Sequence, residues 1–166
     1  MNLEKFKKYY WIISFLSVVF LVLGLALPGF FGTRQFDGDP YLIWIHSLIL
    51  DINDDILFSL GGEGLEGIYN TMHFMGFFLT ILISIFSTLY IIIGWNAKKD
   101  NLGKTYYTWV VGGLFITLLS IAYWITSNIA LTDSWLNSAI PIGILFVLIG
   151  GILPLIIGII SILNER

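Results

Sequence analysis

The chain has 166 residues, of which 57% are apolar and only 11% charged, and its mean hydropathy is +0.89. Soluble domains carry about 45–50% apolar and about 25% charged residues, so a soluble core of this length cannot hide the excess and lipid must cover part of it. With no cysteine and a net charge of −3, the chain excludes disulfides, thiolate-bound zinc or iron–sulfur clusters, and a thiol nucleophile.

Residues 1–8 bring Lys5, Lys7 and Lys8 just ahead of Tyr9, Tyr10 and Trp11. Basic residues followed by an aromatic belt mark a cytoplasmic entry into a bilayer. An apolar helix is predicted over 11–27, stopped by Pro28-Gly29. The same start resembles a secretory signal, but Ala26-Leu27-Pro28 puts proline where cleavage needs small residues, so the segment is read as a retained span.

Segment 33–70 holds seven of the eleven acidic residues and one basic residue, Arg34. Asp39-Pro40 offers a helix start, with an N-cap carboxylate and proline at the first helical position. Gly61-Gly62 offers a stop. Between them Leu42, Ile45, Ile49, Ile52, Ile56 and Leu60 recur at steps of three and four, which predicts a helix over 39–60. Asp51, Asp54 and Asp55 would each cost about 2.5–3.5 kcal/mol at the centre of a bilayer. The expected helix therefore lies on the outer surface, with Tyr41 and Trp44 at headgroup depth or packed on the bundle.

Further spans are predicted over 71–95, 106–127 and 139–163. A basic turn, 96–104, joins the first two of these, and an outer loop, 128–138 with Asp133 and Trp135, joins the last two. Seven of eight basic residues (Lys5, Lys7, Lys8, Lys98, Lys99, Lys104 and Arg166) then fall on one side. Asp37, Asp39, Asp51, Asp54, Asp55, Glu63, Glu66 and Asp133 fall on the other with Arg34. The positive-inside rule places both termini in the cytoplasm of a plasma-membrane protein. The expected fold is a single all-α domain over 1–166, a four-transmembrane-helix bundle with an extracytoplasmic surface helix in its first outer loop. Lys8-Tyr9-Tyr10-Trp11 and Lys104-Thr105-Tyr106-Tyr107-Thr108-Trp109 open the first and third spans alike. A two-plus-two repeat would produce this, and so would belt residues recurring at span ends.

Three groups of residues bear on chemistry. Asp51, Asn53 and Asp55 match the opening of an EF-hand loop, but Ile56 and Gly62 stand where its glycine and bidentate glutamate belong. Asp51, Asp54, Asp55 and Glu63 still suffice in type for a divalent cation, against the simpler reading of a solvated acidic face. His46 and His73 both fall toward the outer side. With carboxylates they could ligate zinc or copper, or as a pair a haem, against the simpler reading of two interfacial imidazoles. Last, Gly143, Val147, Gly150, Pro154 and Gly158 share one face of the fourth span, and Gly112-Gly113 notches the third. Small residues let helix backbones approach where lipid removes the hydrophobic drive, and they serve here to close the bundle or to receive a partner. Pro154 is expected to bend the fourth span.

The first, third and fourth spans contain no Asp, Glu, Lys, Arg or His. Ser84, Ser87, Thr88, Thr117, Ser120, Thr126 and Ser127 line the spans and can bond their own helices. That pattern disfavours ion pathways. Catalysis is disfavoured too, because no nucleophile–base pair or phosphate loop can be placed.

Four spans, inner termini, a long first outer loop and a short second one make a topology that is similar to the claudin-like tetraspans. The chain lacks that family's first-loop tryptophan and paired-cysteine signature, so the resemblance transfers no residue roles. It implies an adhesion or barrier protein as one alternative. The function expected from the residues is a non-enzymatic scaffold or accessory subunit with no cofactor. It would meet lipid and other membrane proteins, or itself, but not nucleic acid, through the acidic outer segment and the small-residue faces. A cation- or ligand-binding sensor is the second alternative, and a small channel or carrier the third.

Overall fold

The computed structural model describes residues 7–34, 40–46, 48–51, 57–58, 68–99, 101, 103–132 and 136–164. Four helices, α1 (Tyr10–Ala26), α2 (Ile68–Lys98), α3 (Tyr106–Thr132) and α4 (Ile142–Asn164), run alternately up and down. Each packs on the next, and α4 packs back on α1, closing a four-membered ring. The helices are patterned inside out relative to a soluble bundle. Helix α1 buries Tyr10, Ser14, Ser17, Leu21 and Gly24, a stripe of mostly small or hydroxylated residues at helical spacing. It turns Ile12, Leu16, Val19, Val22 and Leu23 outward. A helix that is apolar on its outer surface needs an apolar solvent. Three helices, Thr71–Lys98, Tyr106–Ile129 and Ile142–Leu163, are long and apolar enough to cross a membrane, while α1 has 17 residues.

Local chemistry explains the helix ends. Pro28 forces the residue before it out of the helical region, and Leu27 is extended at ψ 152° while its N–H still bonds the Leu23 carbonyl. Between α2 and α3 the chain turns through Gly103, whose φ of +53° lies in the left-handed region that glycine enters freely. Pro154 sits inside α4. Having no N–H, it leaves the Gly150 carbonyl one turn back without its helical donor. The Ser17 hydroxyl of α1 donates to that carbonyl. The helix thus keeps its proline because a neighbouring helix supplies the missing hydrogen bond.

The described part of the connection between α1 and α2 is not a helix. It forms β1 (Phe30–Arg34), β2 (Pro40–Ile43), β3 (Leu48–Asp51) and β4 (Leu57–Phe58). The connection between α3 and α4 contributes β5 (Leu136–Ile140), giving an antiparallel sheet in the order β4-β3-β2-β1-β5. Phe30 pairs with Ile43, and Phe31 with Leu42 and Ile140. The expected surface helix over 39–60 is therefore corrected to strands at 40–43, 48–51 and 57–58. Two signals mislead: proline after aspartate, and a stripe that fits period 3.6. Isoleucine and aromatic residues favour strands, and the neighbouring run Phe30-Phe31 supplies a pairing partner. Burial then alternates along Leu42–Ile43–Trp44–Ile45–His46, with Ile43 and Ile45 buried and the others half-buried. That two-residue period sets which side of β2 meets the bundle. The fold is a helical bundle carrying a small sheet rather than helix throughout.

Candidate functional site

Of the residues singled out by sequence, His46, His73 and Gly143 lie where the sheet sits on the bundle. Phe30 of β1 is fully buried, with its ring centroid 6.1 Å from that of Tyr123 on α3. After β2 the chain drops against α2 so closely that the Ile45 carbonyl occupies the space a side chain at Gly76 would need. Two helix ends are satisfied across this seam. The Trp44 indole N–H donates to the Ala26 carbonyl in the last turn of α1 at 3.0 Å, and the Gly143 N–H at the start of α4 donates to the Pro28 carbonyl at 2.8 Å. Helix termini leave such groups unpaired, and here Trp44, just after β2, and the α1–β1 connection complete them.

His46 lies half-buried in the turn after β2, one residue beyond the carbonyl that rests on Gly76. His73 lies one turn before Gly76 on α2. It is 8% exposed, and among the described residues neither Nδ1 nor Nε2 has a hydrogen-bond partner. A buried polar group without a partner costs about 1–3 kcal/mol, so this imidazole strains the seam. Asp51 ends β3, while Asp54, Asp55 and Glu63 lie outside the described residues. Among the described residues no three histidine or carboxylate side chains converge in a way that could hold a metal ion.

The predicted packing residues all meet neighbours within the bundle. A methyl on Gly143 would come within 2.8–3.0 Å of the Pro28, Gly24 and Leu27 carbonyls. On Gly113 it would meet the Gly151 carbonyl and the Leu155 N–H, and on Gly158 the Val110 side chain and backbone. On Gly150 it would meet Leu21, and on Gly112 the Phe86 and Tyr90 side chains. Pro154 is buried on the same face of α4. These glycines let backbones touch, and their faces are filled by the protein's own helices.

The hydroxyls divide. Ser84, Thr88 and Ser120 bond carbonyls one turn back in their own helices, and Thr126 meets the Met75 sulfur at 3.6 Å. Ser87 and Thr117 are inside the bundle without partners among the described residues. Ser14 accepts from the Trp109 indole at 3.1 Å and donates to the Tyr90 carbonyl at 2.8 Å, joining three helices. Sequence reasoning missed Gly76 at the seam, and it offered packing on the bundle as one of two places for Trp44 without naming its acceptor. A single glycine set among Phe74, Met75, Phe77 and Phe78 was the available signal for Gly76. Nothing local announces the role of Trp44, because its acceptor is 18 positions away.

The fold and its seam define a helical membrane protein with a sheet packed on one end of the bundle. No family model matches the chain, and neither a curated protein nor a solved structure matches it.

Proposed function

We propose that this chain is a four-span, non-enzymatic scaffold or accessory subunit of the plasma membrane. In this reading both termini are cytoplasmic and the sheet faces outward as its protein-binding surface. The carrying observation is that two outer segments, separated by two helices in sequence, form one sheet fastened to the bundle at Gly76, Phe30 and Trp44. Backbone pairing and a buried seam make such a platform stiff, so a partner would pay little ordering entropy on docking. The internal glycines being engaged within the bundle, contact with other proteins falls to the sheet and the acidic outer segment.

Photo-crosslinking in native membranes tests this. A benzophenone side chain at Phe31, 37% exposed on the sheet, should give a discrete protein adduct. The same group at Phe115, which is 57% exposed on α3, should give lipid adducts only. No discrete adduct from Phe31 or Thr33 would end the scaffold reading. For topology, a cysteine at Glu63 should label with an impermeant reagent from outside and one at Lys99 should not. Labelling of both from the cytoplasmic face would sink the four-span arrangement.

A further inference from the structure

The end of the bundle opposite the sheet carries a different pattern. Lys7, Lys8, Lys98, Lys99 and Lys104 are all exposed there, contributed by the start of α1, the end of α2 and the α2–α3 turn. Among the described residues this end carries these five lysines and no carboxylate side chain. Four aromatic contacts fix the ammonium groups. Lys98 Nζ lies 4.9 Å from the Trp11 ring and 5.4 Å from the Trp95 ring, joining α1 to α2. Lys99 Nζ lies 5.3 Å from the same Trp95 ring, and Lys8 Nζ lies 4.8 Å from the Tyr9 ring.

We propose that Lys98, Lys99, Trp95 and Trp11 form a binding site for the headgroup of an anionic phospholipid. Two like charges converge on one indole, and among the described residues neither is held in an ion pair. A phosphate between them would relieve their repulsion and accept hydrogen bonds from both ammonium groups. The place fits a lipid and not merely a soluble anion. Trp95 is 50% exposed, with Ile91 and Ile92 also turned outward one turn deeper on α2. Tryptophan settles at headgroup level, so the ammonium groups above it stand at phosphate height while the exposed isoleucines receive the acyl chains. A lysine held over a ring has also given up much of its rotamer freedom before the phosphate arrives, which lowers the ordering cost of binding.

The test uses the full chain in mild detergent, titrated with phosphatidylglycerol or phosphatidylcholine and read as retained lipid by native mass spectrometry. The parent should retain phosphatidylglycerol at least tenfold more strongly than phosphatidylcholine, and raised salt should reduce the difference. Lys98→Gln with Lys99→Gln should cut phosphatidylglycerol retention about 25-fold, since each lysine near an anionic surface contributes roughly a factor of five. Lys7→Gln, at a lysine outside the Trp11–Trp95 cluster, should leave most of the retention. An unchanged melting temperature in the double variant shows that the fold survives. Equal retention of the two lipids by the parent overturns the site, as does full retention by the double variant. Displacement of phosphatidylglycerol by millimolar inorganic phosphate would show a simple anion site and overturn the lipid assignment.

Discussion

At the sheet end the chain closes on itself through backbone: the Ile45 carbonyl rests on Gly76, and the Pro28 carbonyl bonds the N–H of Gly143. At the lysine end it closes through rings. Tyr10 meets Trp109 edge-on with centroids 6.1 Å apart, and Lys98 bridges Trp11 and Trp95. Backbone contact admits no side chain at all, whereas ring contact is a sum of replaceable areas. The sheet end should therefore fail sharply under small changes, and the lysine end should yield gradually.

The largest effect is expected at Gly76. Gly76→Leu must displace the Ile45 carbonyl, so about 3 kcal/mol of stability should be lost, at the upper end for overpacking. Denaturation in detergent would measure it, and a newly accessible label at Ile43 would show the sheet lifting. A loss under 1 kcal/mol would mean the seam is not closed. Gly143→Ala should cost more than Gly150→Ala. Gly143 faces three carbonyls, while Gly150 faces mainly the Leu21 side chain, which can move.

A middle-sized effect tests the Ser17–Pro154 relation. Ser17→Ala should cost about 1 kcal/mol, within the range for hydrogen bonds between membrane helices. In Pro154→Ala the residue at 154 regains an N–H for the Gly150 carbonyl, so removing Ser17 there should cost much less. Equal cost in both backgrounds would show that the two residues act independently. At the lysine end, Tyr10→Leu should lose about 1 kcal/mol, the ring–ring share of an otherwise conserved apolar contact. A collapse of the bundle would erase the contrast between its ends.

The smallest effect is expected at His73. Leucine there removes two unpartnered buried nitrogens, so His73→Leu should leave stability unchanged or raise it by about 1 kcal/mol. A clear loss would mean the imidazole has a partner in the membrane that satisfies it.

The bundle was legible because its helices are written in runs of apolar residues that only lipid can solvate. The stops at Pro28 and around Gly103 are local chemistry as well. The packing glycines were legible as a face at helical spacing, though not which neighbour each would meet. Segment 39–60 was misread because Leu42, Ile45 and Ile49 fall at helical steps, while the buried side of the strand runs through Ile43 and Ile45 at a step of two, and propensity alone does not choose between the two patterns. The candidate site was half legible. His46 and His73 were marked by residue type, but their common place at the seam depends on Ile45 crossing Gly76.

By itself the sequence determined the class of solvent, the four apolar helices and the uneven distribution of charge, all of which follow from composition along a local stretch. Tertiary structure alone decided that the described residues of the α1–α2 and α3–α4 connections form strands, because a strand is completed only by another strand. Here β1 finds β5 across more than 100 intervening positions of chain. It also decided that Ser17 serves Pro154, since a carbonyl freed in one helix can be satisfied only by whatever side chain packing brings beside it.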